Sequence, residues 1–158
     1  MRSAALLACF LLLAGCGFQL QGRQSLPANL ATVELDATDE QSDFTVALTR
    51  ALAGSGTKLV DHAAPEGAVV RILRDEVKER VLSVDARNIP TDYELVYEVE
   101  VGVRADGKVL MEPEPFAVSR IYSFDETKLL AKEREKSVLR EALARDMASV
   151  VLRRLSSL

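Results

Sequence analysis

Tyr93-Glu94-Leu95-Val96-Tyr97-Glu98-Val99-Glu100-Val101-Gly102-Val103-Arg104 is the stretch that decides the fold. Tyr93, Leu95, Tyr97, Val99, Val101 and Val103 all occupy odd positions, whereas Glu94, Glu98, Glu100 and Arg104 occupy even ones. Side chains alternate across a strand, so this pattern gives one face to a core and the other to water. Asp106-Gly107 follows at once and signals a two-residue hairpin, which sends Lys108 to Met111 back along the same strand. Pro113 and Pro115 then interrupt pairing, as expected at a sheet edge or bulge, before Phe116, Val118, Arg120, Tyr122 and Phe124 resume the alternation. The outcome is an antiparallel meander.

Upstream, Val69 to Leu73 opens a further strand after the polar break at Asp61, His62 and Pro65. Val70 and Ile72 share one side and Val77 and Val81 the other, which calls for a bulge or break near Arg74 to Glu76. Thr32 to Asp36 alternates as a short half-buried strand, and Thr57 to Val60 is a second brief one. Between them, Asp39 or Ser42 can cap a helix with the buried stripe Phe44, Ala47, Leu48, Ala51 and Leu52, ending at Gly54. A long helix from about Asp125, with Ser123 and Glu126 at capping-box spacing, runs to about Leu155 on the stripe Leu139, Leu143, Met147, Val150, Val151 and Leu155. Its charged run from Lys132 to Ser137 reads as a solvated face. The expected fold is α+β: a two-layer sandwich with two helices packed on a mostly antiparallel sheet of about four strands.

The N-terminus has a different character. Arg2, the apolar run Ala4 to Leu13 and the small pair Ala14-Gly15 before Cys16 have the layout of a secretory signal peptide. The run is too short to span a bilayer, which takes ~20 apolar residues. Leu13-Ala14-Gly15-Cys16 resembles the lipobox of bacterial lipoproteins, in which only a thiol can carry the thioether-linked diacylglycerol. Residues 1–15 are thus expected to be removed, residues 16–29 to form a lipidated tether and residues 30–158 a single domain. Cys16 is expected to bear the N-acyl and diacylglycerol groups, and with several chains the anchor becomes effectively permanent. Gly17, where lipoproteins kept in the inner membrane often carry Asp, points to the outer membrane.

Of the two cysteines, Cys9 lies in the removed segment, so no internal disulfide can form and the fold must rest on its core. Removal of residues 1–15 takes Arg2 away, leaving 19 basic against 24 acidic side chains and a formal charge of −5. That balance argues against a nucleic-acid partner. His62 is the only histidine, so the common metal sites and the Ser-His-Asp or Cys-His arrangements lack their parts. Asp85, Asp92 and Asp125 sit at turns or caps where Asp is favoured for local hydrogen bonding, and no phosphate-cradling glycine loop follows a strand. No cofactor, metal or catalytic residue is expected.

One series does suit a ligand: Arg71, Arg74, Lys78, Arg80 and Arg87 before the Pro90 turn, with Arg120 on a later strand. Guanidinium forks and ammonium groups match phosphate oxygens. The competing reading is that they balance the interleaved Asp75, Glu76, Glu79 and Asp85 on a wet sheet face.

Three stretches carry a family resemblance: Cys16-Gly17-Phe18-Gln19-Leu20 with Gly22 behind it, Ala86-Arg87-Asn88-Ile89-Pro90-Thr91-Asp92-Tyr93-Glu94-Leu95, and Ser123-Phe124-Asp125-Glu126 before the last helix. Across essentially the whole chain the sequence resembles the LptE family, the lipopolysaccharide-assembly lipoproteins of the outer-membrane translocon. The resemblance implies an α/β sandwich that plugs the lumen of a large β-barrel partner, LptD, assists that barrel's assembly and binds lipopolysaccharide on its way to the cell surface. The candidate lipopolysaccharide contacts are Lys78, Arg80, Arg87 and Arg120, chosen for their charge and placement. Two other readings compete: a lipid-anchored envelope scaffold or assembly lipoprotein with a different partner, and a lipid-anchored hydrolase using carboxylates.

Overall fold

The computed structural model describes residues 26–64, 67–123 and 129–158, with the side chains of residues 129–132 set aside. The signal peptide, Cys16 and the capping box at Ser123 to Glu126 fall wholly or partly outside those residues. After a 3-10 turn at Ala28–Leu30, the order is β1 (Thr32–Ala37), α1 (Asp43–Ser55), β2 (Lys58–Val60), β3 (Ala68–Val84), β4 (Pro90–Ala105), β5 (Lys108–Ser123) and α2 (Leu129–Leu155). The sheet has five strands in the order β2-β1-β3-β4-β5. It holds five strands against the about four expected, with β1 lying in parallel between β2 and β3. β3, β4 and β5 form the antiparallel meander.

Local chemistry explains the boundaries. Ser42, not Asp39, caps α1: its Oγ accepts the Thr45 N–H at 3.0 Å, whereas Asp39 accepts the Gln41 N–H within the preceding turn. The helix passes through Gly54 to Ser55 and stops at Gly56, whose φ of 94° gives the left-handed cap that Gly54 was expected to supply. Asp106 and Gly107 adopt φ of 53° and 70°, as the tight hairpin requires. Pro113 falls where the β4–β5 register shifts between Val101 and Val103, and β5 is the sheet edge where proline is tolerated.

The change of face on β3 comes from a bulge between Ile72 and Arg74, slightly earlier than the sequence pattern suggests. Before it, Val70 and Ile72 face the helices; after it Val77, opposite Tyr97, and Val81, opposite Tyr93, take over that face. β3 thus remains one strand of 17 residues.

Both helices cover one face of the sheet. The core joins Phe44, Leu48 and Leu52 of α1, Leu143, Met147, Val151 and Leu155 of α2, and Val70, Leu95, Val99 and Val101 of the sheet. Burying each such side chain contributes ~1.5–3 kcal/mol. A polar cluster crosses the interface: the Tyr97 hydroxyl accepts the Phe44 N–H at 3.2 Å and lies against Asp75, which also accepts Ser42 Oγ. Burial, then the Asp75 carboxylate, pushes the Tyr97 phenol well above its usual range.

Candidate functional site

The length of the strands creates the site. At ~3.3 Å per residue, β3 and β4 reach ~50 Å, whereas at ~1.5 Å each the 13 residues of α1 reach ~20 Å and the 27 of α2 ~40 Å. α1 cannot cover both ends of the sheet, and α2 alone is one helix wide. At the β3–β4 turn the alternation continues after the cover has thinned, so Val81 and Val84 are 48% and 49% exposed, while Leu82 at a register shift and Ile121 on the open face are 44% and 66% exposed. Most single exposed aliphatics call for no explanation; four at one end of a sheet do.

This tip is well fastened. Asp85 Oδ1 accepts the N–H groups of Arg87 at 2.8 Å and Ile89 at 3.0 Å, and Asp85 N–H donates to the Ile89 carbonyl, which closes the turn around Asn88 at φ 62°. The Ile89 N–H holds the Asp85 carboxyl below the usual carboxylate range. Asp92 accepts Ser83 Oγ from β3 and Ser123 Oγ from β5, stapling three strands, and those hydroxyls, Ser83 first, lower its carboxyl too. Tyr93 stacks on Tyr122 with ring centres 5.7 Å apart. Burial, then the hydroxyl's hydrogen bond to Glu79, raises the Tyr122 phenol.

Three of the four expected ligand residues gather toward this end. Lys78 and Arg80 follow one another on the face away from the helices, and Arg87 projects from the turn. Arg120 does not join them: opposite Leu95, it faces the helices and binds Asp146 of α2 at 2.6 Å. A two-residue step along β5 keeps the same face, and Arg120 shares its face with Val118 and Tyr122, whereas Ile121 lies on the open side.

Each of the four cations has a carboxylate partner. Lys78 Nζ lies 2.6 Å from Glu98 and 3.3 Å from Glu76, and these partners, Glu98 first, raise the ammonium. Arg80 pairs with Glu94, and Arg87 Nη2 lies 3.0 Å from Asp85. The balance expected from sequence neighbours is largely a cross-strand one: Glu94 and Glu98 come from β4, Glu79 pairs with Lys136 of α2, and Asp75 belongs to the α1 cap. Such exposed pairs stabilise little, so their donors can be re-used. A guanidinium has five N–H donors, and Asp85 engages only the Nε and Nη2 groups of Arg87.

The exposed tip aliphatics were missed by sequence reading. Their signal was present as apolar residues continuing along strands far longer than the first helix. Among the described residues no cluster of His, Cys, Asp or Glu could hold a metal ion, and His62 lies exposed in the β2–β3 loop. No helix among them is long and apolar enough to cross a membrane.

Fold and site together define a small two-layer α+β domain with helices on one face, a bare charged sheet face and an uncovered hairpin tip. That architecture recurs in solved bacterial lipoproteins. The rare lipoprotein B from Shewanella oneidensis superposes with a TM-score of 0.71 at 27% identity, over 80% of this chain and 94% of that one. Lipoprotein B from Nitrosomonas europaea gives 0.73 at 25% identity, over 89% and 91%. An LPS-assembly lipoprotein LptE from Pectobacterium atrosepticum is 28% identical over 92% of this chain and 79% of its own length. The LptE family model, described as lipopolysaccharide-assembly, matches residues 30–155. The chain belongs to the LptE family.

Proposed function

We propose that this LptE-family lipoprotein is held in the outer membrane by lipid on Cys16, plugs and helps assemble the β-barrel LptD, and binds lipopolysaccharide at the β3–β4 tip. One observation carries the ligand reading. Arg80 and Arg87 lie at the same end of the sheet as the exposed Val81, Leu82, Val84 and Ile121. A phosphate-bearing, acylated amphiphile presents both characters, anionic oxygens for the guanidinium groups and alkyl chains for the aliphatics. The plug reading is supported by family membership and by a bare sheet face laced with ion pairs, which suits the polar lumen of an outer-membrane barrel. No step in this role requires bond chemistry in the protein.

Two experiments test it. Mild detergent extraction of outer membranes should recover the protein with a large β-barrel in equal amounts; recovery alone, or with a different stable partner, contradicts the plug. Lipopolysaccharide binding should weaken several-fold in the Arg80→Ala, Arg87→Ala double variant while the fold persists, because each lost charge-assisted contact is worth ~1.5–3 kcal/mol at most. Unchanged binding across salt concentrations removes these residues from the site. Arg120→Ala should weaken binding least, since its guanidinium is committed to Asp146 on the other face.

A further inference from the structure

The two edges of the sheet are not alike. One is β2, three residues long and too short to offer a ladder of free backbone groups. The other is β5, 16 residues long, and among the described residues no strand lies on its outer side. Its lower half, Lys108 to Pro115, carries the protections that native edges use: Lys108, Glu112 and Glu114, two prolines, and the register shift opposite Val101 and Val103. Its upper half, Phe116 to Ser123, has no proline, no irregular pairing and one charged residue, Arg120, whose guanidinium is turned onto Asp146.

The prolines also tell which backbone groups of the upper half are free. In an antiparallel ladder, residues alternately bond the neighbouring strand and point away from it. Pro115, opposite Glu100, has no N–H to give and so stands at an outward position. Pairing is regular from there to Ser123 opposite Asp92, which carries the outward position to Ala117, Ser119 and Ile121. Their N–H and C=O groups form a row ~13 Å long, at ~3.3 Å per residue, on the open edge. The flanks of that row are apolar. On the helix side Phe116 and Val118 are only partly buried against the core. Asp146 and Arg154 of α2 reach Arg120 and Glu114 of β5, so Val150, one turn from each, lies on the line of α2 that follows this edge, and it too is partly exposed. On the open side stand Ala117, Ser119 and the exposed Ile121.

We propose that the upper half of β5 takes up an extended, uncharged segment of a different polypeptide as a sixth strand of the sheet. Backbone donors and acceptors repeating at strand spacing select a peptide over a lipid or a sugar. Apolar flanks on both faces select a segment without charges, because a charge brought there loses its water and finds no partner. A second copy of this chain fits poorly. Arg120 stands at the middle of the run, so a two-fold pairing of two such edges sets two guanidinium groups close together on one face. This inference does not depend on lipopolysaccharide binding.

The test uses the full lipidated protein, first in cells. A photo-reactive residue at Ser119, on the open side, and another at Val150, on the helix side, should each cross-link to the same uncharged segment of one other protein, read by mass spectrometry. A single added strand shows alternate residues to the two sides, which is why both positions should find it. Ala117→Pro removes one outward N–H and no bond of the β4–β5 ladder, and should lower both yields about fivefold or more with the urea midpoint unchanged. Adducts to a second copy, to unrelated segments or to no protein overturn the proposal, as do yields that Ala117→Pro leaves unchanged. Hydrogen exchange reads the same edge without a substitution. In the purified protein in detergent, the amides of Ala117, Ser119 and Ile121 should exchange faster than those of Val118 and Arg120, and in the assembly extracted from membranes they should slow about tenfold or more. Equal protection of all five in the purified protein, or no slowing in the assembly, also overturns it.

Discussion

The two halves of the β3–β4 ladder have nearly the same alternating sequence and opposite fates. In the lower half Val99 and Val101 are fully buried under both helices. In the upper half Val81 and Val84 occupy strand positions of the same kind and are about half exposed, because α1 gives out well before the strands do. Alternation assigns faces; cover assigns burial. The covered half therefore holds the fold together, and the uncovered half is free to serve a ligand.

The sharpest way to break this comparison is to truncate one aliphatic in each half. Leu48→Ala, in the covered half, should cost ~2–5 kcal/mol in urea unfolding, because it removes contacts and leaves a cavity. Leu82→Ala at the tip should stay within ~0.5 kcal/mol of the parent. Similar costs at the two positions would mean that the tip is covered in solution.

A smaller loss is expected where the halves meet the helix cap. Tyr97→Phe removes the acceptor of the buried Phe44 N–H and should cost ~1–3 kcal/mol. A change within ~0.3 kcal/mol would show that this hydrogen bond is replaced by water.

The smallest effect is confined to the tip and to acid. Asp85 and Asp92 both have carboxyls lowered from 3.8, so their hold is present above that ordinary value and is lost as pH falls through the lower, folded-state value. Amide protection of Arg87 and Ile89, corrected for intrinsic exchange, should be flat from about pH 7 to 5 and fall only below about pH 4, with Asp85→Ala removing the dependence. Loss beginning above about pH 5 would point to another titrating group.

Much of this was legible in the sequence because the relevant rules are local. The odd-position run from Tyr93 to Val103, the Asp106-Gly107 turn and the stripe from Leu139 to Leu155 each identify their element from neighbours alone. What was not legible depended on distant partners. Thr32 to Asp36 does not reveal that it will pair in parallel on both sides, with β2 and with β3. Nor does Arg120 declare its face, which is set by the β5 register and by Asp146 arriving from α2. Gly54 and Gly56 are chemically alike, and only the position of the last helical turn selects between them. Of the site, the charges were found and their aliphatic companions were not, because the exposure of Val81 and Val84 follows from relative element lengths and that of Ile121 from the β5 register.

The central claim, that the uncovered tip is the working end of the domain, is tested most directly by a photo-reactive residue placed at Leu82 or, for comparison, at Glu141 on α2, in cells making lipopolysaccharide. Irradiation should yield a lipopolysaccharide adduct at position 82 and none at 141. Adducts of equal yield at the two positions, or at 141 alone, would contradict the account.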